Sequence, residues 1–197
     1  MEAHSHLVPK VLSLFQDLPS GSKVLDIGCG NGSFLAHLKG FGWQLYGSDS
    51  SASGIAIARQ TCDGIHFFQA GADEDPSRQL EQCDGPVDAI LCVEVIEHLY
   101  DPRSCARLCN ALLRPGGMLL ISTPYHGYLK NLALAVTGQM DKHFAPLDDG
   151  GHIKFWSQNT LRQLLHEAGF TAVRFQGSGR LPYLWKSMIA IATKPRI

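Results

Sequence analysis

Two short stretches of this chain carry the residue types that chemistry needs. The first, Glu94-Val95-Ile96-Glu97-His98, puts two carboxylates and an imidazole within five residues. Wound as a helix, it would present Glu94, Glu97 and His98 at i, i+3 and i+4 on one face. Such a trio could hold a divalent cation, and its hard oxygen ligands favour Mg²⁺ or Mn²⁺. A cation there would lower the pKa of a bound hydroxyl and give an oxygen nucleophile at neutral pH. Without a cation, His98 could itself be the general base, with Glu97 beside it. The plainest alternative leaves Glu94 and Glu97 to packing and hydrogen bonding, with His98 alone facing a substrate.

The second stretch is Asp26-Ile27-Gly28-Cys29-Gly30-Asn31-Gly32. Glycines are needed where a ligand presses on the backbone and where φ must be positive. About 20 residues on, Asp49 stands where a carboxylate can accept hydrogen bonds from two ribose hydroxyls. A dinucleotide enzyme would share that much, but its fingerprint is G-x-G-x-x-G. Here the third glycine comes one residue early, and Ser33 holds the place it should occupy.

The elements that must position these residues alternate along the chain. Val24–Ile27 reads as a strand entering the glycine turn, and Phe34–Leu38 as the helix leaving it. Trp43–Gly47 is a second strand, followed by a helix over Ser51–Gln60 with Ser51 as N-cap. Ile65–Gln69 and Val87–Val93 are further strands, the latter apolar on both faces. Asp101-Pro102 opens a helix through Leu113, with proline at its first position. Arg114-Pro115-Gly116-Gly117 is a turn by composition, delivering a fifth strand, Met118–Ser122. After Pro124 the alternation breaks. Residues 125–150 form an insertion with a helical stretch over Tyr128–Val136 and a polar end, Asp148-Asp149-Gly150-Gly151. A helix over Ser157–Ala168, stopped by Gly169, and strands near Thr171–Phe175 and Met188–Thr193 complete the chain. Doubly buried strands alternating with helices predict a mostly parallel, doubly wound α/β sheet.

Composition agrees. The 197 residues are 45% apolar and 18% charged, ordinary for one globular domain. No apolar run reaches the roughly 18 residues of a transmembrane helix. The start, Met1 to His6, has neither the basic nor the apolar part of a signal peptide, so a cytoplasmic location is expected. Six cysteines without CxxC spacing read as reduced, packed thiols. Residues 1–150 carry 10 Lys and Arg against 17 Asp and Glu, whereas residues 151–197 carry 7 against one. Such asymmetry can mark an anionic partner; the simpler reading is a solvated basic surface on the last helix and strands.

Val24 to Gly32 resembles the first signature of class I S-adenosylmethionine methyltransferases, and Leu113-Arg114-Pro115-Gly116-Gly117 resembles the motif before their fifth strand. Together the motifs span roughly residues 20–125. The resemblance implies a seven-stranded Rossmann-like sheet and S-adenosylmethionine as cofactor. It sets Gly28, Cys29 and Gly30 near the methionine portion, with Asp26 at the strand end. It places Asp49 and Ser50 at the ribose, and Ala72, Asp73, Cys92 and Val93 around the adenine. The Glu-x-x-Glu-His cluster, Ser122-Thr123-Pro124 and Gly151-His152-Ile153-Lys154-Phe155 narrow it to the O-methyltransferases of ubiquinone biosynthesis. Those act on catechol-type rings and use a divalent metal at the cluster. The cluster also resembles that of small-RNA 2′-O-methyltransferases, in which a later histidine completes a metal site; His152 matches it. The implied metal ligands are thus Glu94, Glu97, His98 and His152.

Tyr125, His126, Tyr128, His143, His152 and Trp156 gather in and after the insertion, where Tyr and Trp could wall a pocket for an aromatic or prenylated acceptor. Residues 128–136 could dip into a membrane surface, with Lys130 as their one basic anchor. A lid helix over the pocket is the preferred reading. The expectation is therefore methylation of a hydroxyl on a small molecule. RNA 2′-O-methylation, N-methylation of a small amine and cofactor binding without turnover stand as rivals. Basic residues do not interleave with aromatics along a groove, which argues against nucleic acid.

Overall fold

Seven strands form one sheet: β1 (Lys23–Ile27), β2 (Gln44–Asp49), β3 (His66–Gln69), β4 (Val87–Val93), β5 (Leu113–Pro124), β6 (Thr171–Ser178) and β7 (Ser187–Thr193). The computed structural model describes residues 5–144, 147–179 and 184–196. The sheet order is β3-β2-β1-β4-β5-β7-β6. The first five strands pair in parallel, and β7 runs antiparallel to both neighbours. The helices are α1 (Val8–Phe15), α2 (Ser33–Ala36), α3 (Ala52–Thr61), α4 (Pro76–Gln82), α5 (Pro102–Leu112), α6 (Tyr128–Val136), α7 (Met140–Phe144) and α8 (Gln158–Glu167).

Strand β4 shows why the sheet is central. All its residues except Asp88 are buried. Ile90 and Cys92 face one layer of the core, and Ala89, Leu91 and Val93 face the other. Helices cover both faces. α5 packs Cys105, Ala106, Leu108, Cys109 and Leu112 against the first, joined by Leu161, Leu164 and Leu165 of α8. On the second lie Val11 and Phe15 of α1 and Ile55 and Ala58 of α3. Each fully buried Leu, Ile or Phe contributes about 1.5–3 kcal/mol. All six cysteines are buried and free, as expected of packed thiols.

Helix starts follow local chemistry. Ser51 accepts from Gly54 N, and Asp101 accepts from the amides of Arg103 and Ser104 ahead of Pro102. Ser157 and Thr160 form a reciprocal cap on α8. Asp75-Pro76 opens α4 by the same device as Asp101-Pro102, although the sequence reading left 76–82 without an element.

Three expectations need correction. The first helix after the glycine turn is only Ser33–Ala36. The Arg-Pro-Gly-Gly segment is no separate turn: β5 already pairs at Leu113 with Val87, then resumes at Met118 with Ala89, so the four residues bulge out of one long strand. Finally, 94–98 is not an α-helix. It is a single 3-10 turn, Ile96–His98, preceded by Glu94 at φ +54°.

The connection from β3 to β4 crosses the sheet, so strand order reverses between β1 and β4. Ligands of such folds bind in the crevice beyond the carboxyl ends of these strands. The glycine turn follows β1, Asp49 ends β2, and Glu94 to His98 follow β4. Among the described residues, no helix is long and apolar enough to cross a membrane.

Candidate active site

The glycine turn is held by backbone bonds rather than packing. Gly28 N and Cys29 N both donate to Ser48 O, at 2.7 and 3.0 Å. Asp49 closes the turn: one carboxylate oxygen accepts from Gly30 N and the other from Ser51 N, each at 2.8 Å. Each oxygen keeps a second lone pair, so the carboxylate can also accept ribose hydroxyls. Gly28, Gly30 and Gly32 all have positive φ, but their missing side chains matter differently. A Cβ at Gly28 would meet Val95 Cγ2 at 2.4 Å, and one at Gly32 would meet Phe67 Cζ at 2.6 Å. At Gly30 nothing lies within 4 Å. A Cβ at Gly30 would thus meet no protein atom.

Asp26, 1% exposed, has an Oδ1 without a hydrogen-bond partner. Burial, reinforced by the Asp49 carboxylate, pushes its pKa up to about 8. A buried carboxyl lacking a donor suits a cationic ligand, and S-adenosylmethionine carries an ammonium and a sulfonium. Ser50 and Asp73 are exposed at the crevice rim, and Ala72 is half-buried. Cys29 is 7% exposed, and burial raises its thiol pKa. The Cys92 side chain is sealed in the core, in a hydrogen-bonded group with Cys105, so only its backbone can approach a ligand; Val93 is 8% exposed.

Across the crevice, Glu97, His98 and His152 offer ligand atoms all within 4.8 Å of one another. The segment carrying His152 is strapped to the β4 end. Ile153 N and Lys154 N both donate to Glu97 O, at 2.9 and 3.0 Å. His98 Nδ1 lies 2.8 Å from Gly150 O and 3.3 Å from Gly151 O. Both carbonyls only accept, so Nδ1 carries a proton. The His98 and His152 rings stand edge to face, 4.9 Å apart. Burial, then His98, lowers the His152 pKa and keeps it neutral.

Glu97 is fully buried, with its own backbone amide and the Thr123 hydroxyl close to the carboxylate but outside ordinary hydrogen-bond geometry. Burial, then the nearby Glu94, pushes its pKa up to about 8; the adjacent Thr123 hydroxyl offsets this least. His152 Nε2 is 3.9 Å from Glu97 Oε1. One buried carboxylate and two imidazoles fit a divalent cation in donor type. Glu94 stands outside this trio. Its left-handed backbone turns the carboxylate to Ser122 Oγ, which donates to it at 2.9 Å. Burial raises its pKa, while Ser122, Ser187, Lys186 and Lys130 counter the rise.

Glu94, His98 and His152 line a cavity of about 960 Å³ that extends under α6. Its apolar wall is Pro124, Ala133, Leu134 and Leu184. Among the described residues, no Tyr or Trp lines this cavity as expected. Tyr125 and Trp156, each 9% exposed, belong to the core, and Tyr128 is 78% exposed to solvent. His126 instead packs with His143, Phe144 and Phe155, and burial, then Lys130, lowers its pKa to about 4. Lys130 and Lys186 also line the cavity, and the sequence reading missed both as site residues. A lone lysine in the apolar run of α6 was the available signal.

A parallel sheet with a last antiparallel hairpin and a glycine turn at its reversal point defines the class I methyltransferase fold. A magnesium protoporphyrin IX methyltransferase from Synechocystis, solved with bound S-adenosylhomocysteine, shares it at a TM-score of 0.72 and 21% identity, over 97% of this chain and 83% of that one. Residues 2–174 match the methyltransferase domain family, and the chain belongs to it: this is an S-adenosylmethionine-dependent methyltransferase. A ubiquinone biosynthesis O-methyltransferase of Ruegeria pomeroyi is 30% identical over 176 residues, covering 87% of this chain and 68% of that protein. One of the same name from Xanthomonas axonopodis pv. citri is 29% identical over 193 residues, covering 90% and 78%.

Proposed function

We propose that this enzyme methylates a hydroxyl oxygen of a small aromatic acceptor of catechol or quinol type. The observation that carries the reading is the fully buried Glu97 carboxylate beside the imidazoles of His98 and His152, which line the cavity. The names of the relatives supply the acceptor class. Bound at the glycine turn, S-adenosylmethionine supplies an electrophilic methyl on a positively charged sulfur. Asp49 and the Gly28–Gly30 backbone hold the cofactor, and Asp26 offers its carboxyl to the cationic portion. Across the crevice, Glu97, His98 and His152 would hold Mg²⁺ or Mn²⁺, whose charge would lower the pKa of an acceptor hydroxyl. His98 Nε2 is also a proton acceptor. Aliphatic residues of α6 and Pro124 exclude water and pack against the ring. Alignment of the hydroxyl with the methyl then supplies much of the acceleration.

The test is a screen of phenols, catechols, quinols and short RNAs with labelled cofactor, run with and without chelator. Methylation of catechols or quinols, lost on chelation and restored by Mg²⁺ or Mn²⁺, is expected. Full activity in excess chelator would remove the metal and leave His98 as base. Methylation of RNA alone would overturn the acceptor class.

A further inference from the structure

Glu94 holds a backbone conformation that costs a glutamate energy. Its φ of +54° lies in the left-handed region, which side chains bearing a Cβ seldom enter. Two other non-glycine residues among those described share that region, and the path of the chain explains both. Asp84 lies in the turn after α4, and Ala172 sits where β6 slips register against β7. Glu94 is instead pinned just beyond β4, its amide donating to both Ser122 O and Ser122 Oγ at 3.1 Å. A glycine would hold this bend with the least strain, yet the position carries a carboxylate.

The carboxylate is aimed as firmly as the backbone. The buried Ser122 hydroxyl accepts from Glu94 N and donates to Glu94 Oε1 at 2.9 Å. The Ser187 hydroxyl acts on the same carboxylate from β7 and lies 3.3 Å from His6 Nε2. A carboxylate offers about four acceptor positions, and the Ser122 proton occupies one of them. Half-buried and lining the acceptor cavity, the group keeps acceptor capacity for a ligand. Glu94 stands outside the Glu97, His98 and His152 trio, but near enough for its charge to act on Glu97. Two hydroxyls on adjacent ring carbons would bridge that separation.

Resting on the proposed transfer to a hydroxyl, we infer that Glu94 determines acceptor specificity. It accepts a hydrogen bond from a second hydroxyl, ortho to the one received by Glu97, His98 and His152. Glu94 takes no part in holding a metal. A hydrogen bond to a carboxylate is stronger than one between neutral groups. A site built to bond a hydroxyl rejects the analogue that lacks it.

Binding is read apart from turnover and from metal. Calorimetry on the S-adenosylhomocysteine-loaded enzyme, in excess chelator, compares catechol, phenol and guaiacol, which keeps the second oxygen without its proton. Catechol should bind at least about tenfold more tightly than either. Glu94→Ala should remove most of that preference, and Glu94→Gln, whose amide oxygen still accepts, should restore part of it. Mn²⁺ titrated without chelator should bind the parent and Glu94→Ala proteins alike. Thermal unfolding checks both variants; if the alanine variant does not fold, a reduced catechol preference in Glu94→Gln carries the test. A preference unchanged in the folded variants overturns the contact, as does equal affinity of the parent enzyme for catechol and phenol. Weaker Mn²⁺ binding by Glu94→Ala would make Glu94 a metal ligand and overturn the assignment. The same compounds are then offered with labelled S-adenosylmethionine and Mg²⁺. Catechol binding that depends on Glu94 without any methylation keeps the contact and overturns the hydroxyl reading. Methylated catechol without a preference that depends on Glu94 overturns the contact and leaves that reading standing.

Discussion

The glycine turn and the acceptor cavity share one edge of the sheet and are built in opposite ways. The turn is made from neighbours. Ser48, Asp49 and Ser51 on the adjacent strand and loop fix Gly28 to Gly30 through backbone amides. The cavity is made from residues more than 50 positions apart, with Gly150 to Lys154 tied to Glu97 and His98. Each half also buries one carboxyl whose pKa burial raises, Asp26 in the first and Glu97 in the second. A surface common to many acceptor-specific enzymes can be locked early in the chain, whereas the part that selects the acceptor comes from an insertion that can vary freely.

The largest expected effect separates the two halves. Replacing residues 126–149 with a short Gly/Ser linker should abolish methyl transfer yet leave folding and cofactor binding largely intact. The reason lies in burial: among the described residues of α6 and α7, only Lys130 is buried. Loss of cooperative unfolding in that variant would show the segment to be core.

Next comes Asp49→Ala, which removes two charged hydrogen bonds from the turn and an acceptor from the cofactor. A loss of about 1.5–3 kcal/mol corresponds to roughly 10–100-fold weaker cofactor binding, readable by calorimetry. Unchanged affinity would take Asp49 out of the site.

A pair of glycine substitutions sharpens the picture within the turn. Gly28→Ala drives a Cβ into Val95, so it should lower the melting temperature of the ligand-free protein. Gly30→Ala meets no protein atom and carries only the cost of its positive φ, about 1–3 kcal/mol. Its larger effect should fall on cofactor affinity. If both variants acted alike on stability and binding, Gly30 would not border the ligand.

The smallest effect is the pH dependence of stability. Asp26 and Glu97 both have folded pKa values near 8, above their usual 3.8 and 4.5. Below about pH 4 the protons are bound in folded and unfolded chains alike. Between about pH 4 and 8 only the folded state keeps them, so stability of the ligand-free protein should fall as pH rises through that window. Asp26→Asn and Glu97→Gln should each remove part of the slope in thermal unfolding measured across pH. A flat profile in the parent protein would contradict both assignments.

The same contrast explains what the sequence disclosed. The glycine turn, Asp49 at the end of the second strand and the alternation of strands with helices were legible because their signals sit within one turn or one element. The Tyr128–Val136 helix appeared with its bounds intact, since an apolar run between a glycine and a threonine is a local signal. The geometry of Glu94 was not legible. Spacing alone put it on a face with Glu97 and His98, whereas a positive φ held by Ser122, 28 residues away, turns it aside. The burial of Lys130 was not legible either, because burial depends on how the helix is rotated, which only the fold decides. The aromatic residues failed for the same reason: Tyr125 and Trp156 were recruited by the core.

The most direct test of the central claim is the rate of methyl transfer to a catechol by Glu97→Gln, with cofactor affinity measured on the same samples. The amide keeps the shape of the side chain and loses its charge. The prediction is a fall in turnover of at least about 100-fold with cofactor affinity unchanged, since general acid–base or metal-assisted steps carry effects of that size. Turnover equal to that of the parent enzyme would place the chemistry elsewhere in the crevice.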